Sequence, residues 1–201
     1  MVQDSVGFHY GGNFPMIEIV KGEKVELYLT KEQINQRVKE LATEITEHYG
    51  EQPLTVLGTL KGSVLFLADL VRELPPNIEI DFIRASSYGD SSETSGEVTL
   101  EYVPSVNLEG RHVLLVEDII DTGLTASGLY SYLVSQKVNS IQICALLDKP
   151  MRRKIPMSCD YLGFSIPNEF VVGYGLDYAQ RYRNLPYVGI LSFEEQSENE
   201  N

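Results

Sequence analysis

The chain has 201 residues, 43% hydrophobic and 22% charged, which suits one globular domain with a substantial core and is short for two. Its 29 acidic and 16 basic residues leave a formal charge of −13, which argues against nucleic acid or an anionic membrane as a broad-surface partner. No run of 18 apolar residues exists, the start lacks the basic flank and apolar core of a signal peptide, and Cys144 and Cys159 form no C-x-x-C pair, so a reducing cytoplasm is expected.

Residues 1–24 are broken by Gly11-Gly12 and Pro15 and read as loop with a short strand near Ile17. Residues 25–29 alternate weakly, as a strand would. Thr30-Lys31-Glu32-Gln33 is a capping box, opening a helix with Ile34, Val38, Leu41 and Ile45 on its apolar face and Gly50 past its end. His48 near that end reads as a favourable terminal charge rather than a ligand. Residues 54–58 form a buried strand that leads through Thr59-Leu60-Lys61-Gly62-Ser63 into a helix around residues 64–70, ended by Pro75-Pro76. Residues 78–83 read as the next strand. The stretch 85–96 has almost nothing to bury and reads as a mobile loop, with residues 98–103 as the returning strand.

The most informative stretch follows. Val113-Leu114-Leu115-Val116 suits a strand buried on both faces of a parallel sheet. Glu117 and Asp118 are expected to stop it, and Asp121 follows three residues on. Thr122-Gly123-Leu124-Thr125 then precedes a helical pattern carried by Leu129, Leu133 and Val134. Glycine lets the backbone turn its N–H groups toward a ligand, and a helix N-terminus adds positive potential. The pattern reads as a cradle for one phosphate, beside carboxylates that suit hydroxyls and a hard cation. It is no Walker A loop, because Gly-Lys-Ser/Thr is missing, and no G-x-G-x-x-G opens a dinucleotide fold.

Residues 141–147 form another buried strand, ending at Asp148-Lys149-Pro150, and Arg152-Arg153-Lys154 reads as a solvated turn. Lys149 falls where a parallel strand meets the ligand edge of an open α/β sheet. Residues 160–164 and 170–174 read as short strands too late for the central sheet, and residues 187–193 as a last strand. The acidic end, residues 194–201, is expected to be disordered, leaving one domain over residues 1–201. Strands alternating with helices imply an α/β fold, a doubly wound, mostly parallel sheet with its ligand loops at the carboxyl edge.

The segment Val116-Glu117-Asp118-Ile119-Ile120-Asp121-Thr122-Gly123-Leu124-Thr125 closely resembles the signature of the type I phosphoribosyltransferases, in particular their hypoxanthine-guanine branch. The likeness extends through Leu60-Lys61-Gly62, Ser87-Tyr88-Gly89, Lys149, Phe170-Val171-Val172-Gly173 and Tyr182-Arg183-Asn184-Leu185. It implies a small hood made of late and N-terminal segments. It also implies transfer of a 5-phosphoribosyl group from phosphoribosyl pyrophosphate to a 6-oxopurine, with Mg²⁺, in a protein that relatives suggest is a homodimer or homotetramer.

Residue roles come with that resemblance. Asp121 would face purine N7 as general base, and Glu117 and Asp118 would hold the ribose hydroxyls and help carry the metal. Asp121, Thr122, Gly123, Leu124 and Thr125 would cradle the 5′-phosphate, although many relatives carry a lysine or arginine where Leu124 stands. Lys61, Gly62 and Arg183 would receive pyrophosphate, across a Leu60-Lys61 peptide that can be cis. Lys149 would donate to the 6-oxo group, Phe170 stack on the base, and Val171 read its edge. Asp177 would orient a second metal and meet a guanine 2-amino group. Ser86, Ser87 and Tyr88 would open a lid that excludes water. Taken without the resemblance, Lys61 is an ordinary exposed lysine, Phe170 a core aromatic and Asp177 an exposed loop carboxylate. Two rivals share the central loop: a non-enzymatic sensor of the same metabolite, and a phosphoribosyltransferase for another base.

Overall fold

Two sheets organise the protein, and the connection between the last two strands of the smaller one reaches the crevice at the edge of the larger. The computed structural model describes residues 16–20, 22–87 and 98–193. The order along the chain is β1 (Met16–Val20), β2 (Glu23–Leu29), α1 (Lys31–Tyr49), β3 (Leu54–Thr59), α2 (Val64–Glu73), β4 (Ile78–Ser87) and β5 (Val98–Tyr102). It continues with β6 (His112–Ile120), α3 (Leu124–Ser135), β7 (Ser140–Asp148), a 3-10 turn (Pro150–Arg152), β8 (Tyr161–Ser165), β9 (Val171–Val172) and β10 (Val188–Phe193).

The larger sheet runs β5-β4-β3-β6-β7-β8, all parallel except the β4/β5 edge pair. Period-two alternation sorts its central strands into two cores. Leu54, Val56, Leu114, Val116, Cys144 and Leu146 pack with α1 and α2, while Leu57, Val113, Leu115, Ile143 and Ala145 pack with Leu129 and Leu133 of α3. The smaller, antiparallel sheet runs β1-β2-β10-β9, so the hood takes strands from the first and last parts of the chain.

α1 begins as its sequence requires. Thr30 accepts from the Gln33 amide and Gln33 returns the bond to the Thr30 amide, at 3.2 and 2.9 Å. Such a cap stabilises by about 1 kcal/mol. Gly50 ends the helix at a φ of 56°, and the face on Ile34, Val38, Leu41 and Ile45 is buried.

Four sequence expectations need correction. Glu117 and Asp118 do not stop β6, which runs to Ile120. Its pairing with β3 ends at Gly58↔Val116, but its pairing with β7 continues to Ile120↔Asp148. The acids therefore sit on a strand hydrogen-bonded on one edge and open on the other. The segment 160–164 is not too late for the central sheet: β8 extends it, parallel to β7, with Arg37 of α1 donating to the Leu162 and Gly163 carbonyls. The polar stretch does not begin at residue 85, because Ser86 and Ser87 pair with Thr99 and Val98 within β4 and β5. Tyr88 and the rest of that stretch lie outside the described residues, as does the acidic end at 194–201. In the turn Arg152-Arg153-Lys154, Arg152 and Lys154 are exposed as expected, but Arg153 is tucked in, as the site makes clear below.

Candidate active site

β3 sends its connection to β4 on one side, and β6 lies on its other side, so a crevice opens where the strand order reverses. In open α/β sheets, ligands occupy that place, beyond the carboxyl ends of the strands. A cavity of about 330 Å³ lies there. Its wall combines Thr59 at the end of β3 with Leu60 and Gly62 after it, residues 117–126 except Leu124 from β6, its loop and the start of α3, and Asp177 and Arg183 from the hood segment.

The floor is acidic and buried. Glu117 is 5% exposed, and its Oε1 has no hydrogen-bond partner. Burial first, then the charge of Asp118, pushes the Glu117 carboxyl up to about 8 against the opposing Thr59 hydroxyl. Asp118 is pushed up to about 6, again mainly by burial, with backbone amides and Arg183 opposing. Gly62 is needed beside it: a Cβ there would run into the Asp118 carboxylate. The Leu60-Lys61 peptide is cis, and Lys61 Nζ lies 3.5 Å from Gln180 Oε1.

The phosphate-type loop turns through Gly123, at a φ of 84°, directly into α3. The N-cap Gly123 has no side chain to cap that helix, the Leu124 amide donates to the Thr122 hydroxyl at 3.4 Å, and the Thr125 and Ala126 amides find no acceptor among the described residues. Unfilled amides at a helix N-terminus form an anion site with its dipole already aligned.

Asp121 closes the loop's near end. Its Oδ1 is buried without a hydrogen bond, although Arg152 Nε lies 3.1 Å away as an ion-pair partner. Lys149 follows β7, its amide donating to the Ile120 carbonyl at 3.0 Å, and its side chain is buried. Burial lowers the Lys149 ammonium from its usual range, and the Asp121 charge partly restores it. The hood segment adds Asp177, whose Oδ1 is 2.6 Å from Arg183 Nη2 and whose Oδ2 accepts from the Gln180 amide. Arg183 also donates to the Gly175 carbonyl at 2.6 Å, and a Cβ on Gly175 would run into the Gly62 carbonyl, so the hood segment and the loop after β3 touch through backbone.

Lys61, Lys149, Phe170 and Val171 stand off the cavity wall itself. Phe170 is no core aromatic: it is 49% exposed, one edge against Tyr178 and its carbonyl accepting from Leu191. Val171 is buried in β9 opposite Ile190. Sequence reasoning missed Thr59, Gly175, Gln180, Asp148, Arg152 and Arg153. For the arginines the signal was present, two adjacent cations just after the ligand edge, but nothing local ties them to a loop 30 residues earlier.

The phosphoribosyl transferase domain family matches residues 24–179. The chain is 45% identical over 173 residues to hypoxanthine-guanine phosphoribosyltransferase of Bacillus subtilis, covering 86% of this chain and 96% of that one. It is 47% identical over 166 residues to the protein of that name from Staphylococcus epidermidis, covering 83% and 93%. Among solved structures, a hypoxanthine phosphoribosyltransferase from Staphylococcus aureus superposes with a TM-score of 0.80 at 46% identity, over 83% of this chain and 91% of that one. With the signature loop, the parallel sheet and the hood all in place, the chain belongs to the phosphoribosyl transferase family, in its hypoxanthine-guanine branch.

Proposed function

We propose that the protein transfers the 5-phosphoribosyl group of phosphoribosyl pyrophosphate to hypoxanthine or guanine, releasing pyrophosphate and forming the nucleoside 5′-monophosphate. The observation that carries this reading is Asp121 Oδ1, buried at the crevice and lacking a donor that a purine N7–H would supply. Asp121 takes that proton as general base. The free amides at the start of α3 hold the 5′-phosphate, and Lys61, Gly62 and Arg183 hold the pyrophosphate. Lys149 donates to the 6-oxo group, Phe170 offers its open face to the base, and Val171 and Asp177 line the purine's edge.

Two buried acids that resist ionising together, Glu117 and Asp118, fit a divalent cation that arrives with the substrate. Among the described residues no cluster of three or more His, Cys, Asp or Glu side chains could cage a metal alone. Glu117, Asp118 and Asp177 would hold Mg²⁺ through ribose hydroxyls and waters, and the ion would neutralise the departing diphosphate. A cytoplasmic location and a homodimeric or homotetrameric assembly belong to the same reading; light scattering of the purified protein reads the assembly. No described helix is long and apolar enough to cross a membrane.

The test is nucleotide and pyrophosphate formation with each base in turn. Hypoxanthine and guanine are expected to react and adenine hardly at all, because an ammonium has donors only and adenine presents a donor at position 6. Chelation should abolish turnover with the circular dichroism unchanged, and added Mg²⁺ should restore it. Absence of nucleotide from every 6-oxopurine would overturn the reading.

A further inference from the structure

The basic run after β7 lies against the phosphate loop. Arg153 has a side chain only 15% exposed, although it is an arginine in a connecting segment. Its guanidinium pairs with Asp148, the last residue of β7, and donates from Nη1 to the Asp121 carbonyl at 2.9 Å. Its Cδ lies 3.1 Å from the point where a Cβ on Gly123 would sit. The next two amides, of Lys154 and Ile155, both donate to the Thr122 carbonyl, at 2.9 and 3.2 Å. Arg152 turns the other way and sets Nε 3.1 Å from Asp121 Oδ1. That contact lacks hydrogen-bond geometry, so it supplies charge without filling the oxygen.

Asp121 is thus held at two points by consecutive arginines, one on its carbonyl and one beside its carboxylate. We infer that Arg152 and Arg153 are positioning residues for the phosphoribosyl transfer proposed above, Arg153 by fixing the backbone of the phosphate loop and Arg152 by steadying the Asp121 carboxylate. The two act by different physics. Arg153 uses separate nitrogens of one rigid fork for two acceptors, one at the end of β7 and one in the loop after β6, which a lysine cannot reproduce. Arg152 acts through its charge at an ion-pair distance, which a lysine can supply. The arrangement also joins the base side of the site to the phosphate side, because the strap starts at Lys149 and ends on Thr122.

Steady-state kinetics on single variants separates these roles. Arg152→Gln is expected to lower kcat about tenfold, the scale of one charge-assisted contact, with KM for phosphoribosyl pyrophosphate unchanged and most of the loss recovered in Arg152→Lys. Arg153→Lys is expected to raise that KM about tenfold or more with a smaller change in kcat, since it keeps the charge and loses one of two bonds. Arg153→Gln should go further in the same direction; if it does not fold, Arg153→Lys is decisive. Native kcat in Arg152→Gln, or failure of Arg152→Lys to recover it, overturns the role of Arg152. A lower melting temperature with native KM and kcat in Arg153→Lys makes Arg153 a brace only and overturns its role. Native protein is assayed first. If it makes no nucleotide, the proposed function fails; if it turns over and the variants match it, this inference alone fails.

Discussion

Asp121 has one carboxylate oxygen out of reach of water and without a donor, and such an oxygen costs stability unless something else uses it. Asp121→Asn keeps the shape and cannot take a proton, so kcat is expected to fall about 10²-fold or more, the usual scale for removing a general base, with the unfolding transition nearly unmoved. Stopped assays beside a thermal melt check both halves; wild-type turnover would remove Asp121 from the chemistry. Residues of this kind were legible because they lie next to one another in sequence. Glu117, Asp118, Asp121 and the Thr122-Gly123-Leu124-Thr125 turn are consecutive on one strand and loop, so a linear reading meets them together. Arg153 reaches back 32 residues to the Asp121 carbonyl, and Gly175 meets Gly62 across more than a hundred. Contacts of that length leave no period or spacing in the chain.

Elements were legible where a local rule decides them. The capping box, the buried face of α1 and the two-sided apolar runs of β3, β6 and β7 follow from side chains a few residues apart. The ends of elements depend on neighbours instead. β6 outruns its apolar stretch because β7 continues to pair with it after β3 has stopped, and β8 is a five-residue edge strand whose place in the sheet is set by β7. The loop after β3 is likewise shaped by its neighbours. Gly62→Ala would press a methyl group into the Asp118 carboxylate, and overpacking of that sort costs about 1–3 kcal/mol. The expected outcome is a modest loss in urea midpoint and a much larger loss in kcat/KM, because the carboxylate that must move is on the cavity wall. A variant with native kcat/KM would mean the loop yields freely.

For the whole molecule, the acid pair makes an unliganded site expensive. Glu117 ionises at about 8 in the fold against an ordinary 4.5, so the fold favours its protonated form. The stability this contributes is full below about 4.5 and is lost as pH rises through about 8. Glu117→Gln removes the charge and keeps the shape. Ligand-free variant and native protein are expected to unfold alike near the acid end, with the variant increasingly the more stable toward the alkaline end, while its KM for phosphoribosyl pyrophosphate worsens. Thermal melts over that pH range decide it, and parallel curves would refute the assignment. The hood has a consequence of another sort. β1 and β2 form an antiparallel hairpin, and β10 lies antiparallel to β2 with Phe193 opposite Glu23. β1 and β10 thus run parallel on either side of β2, and tension applied between Met16 and Phe193 would load these ladders in shear, with the rungs resisting together rather than parting one by one from an end. Phe170, Val171, Asp177 and Arg183 lie between the residues so joined, with β9 pairing onto β10, so a pull between those two points meets the whole width of the hood at once.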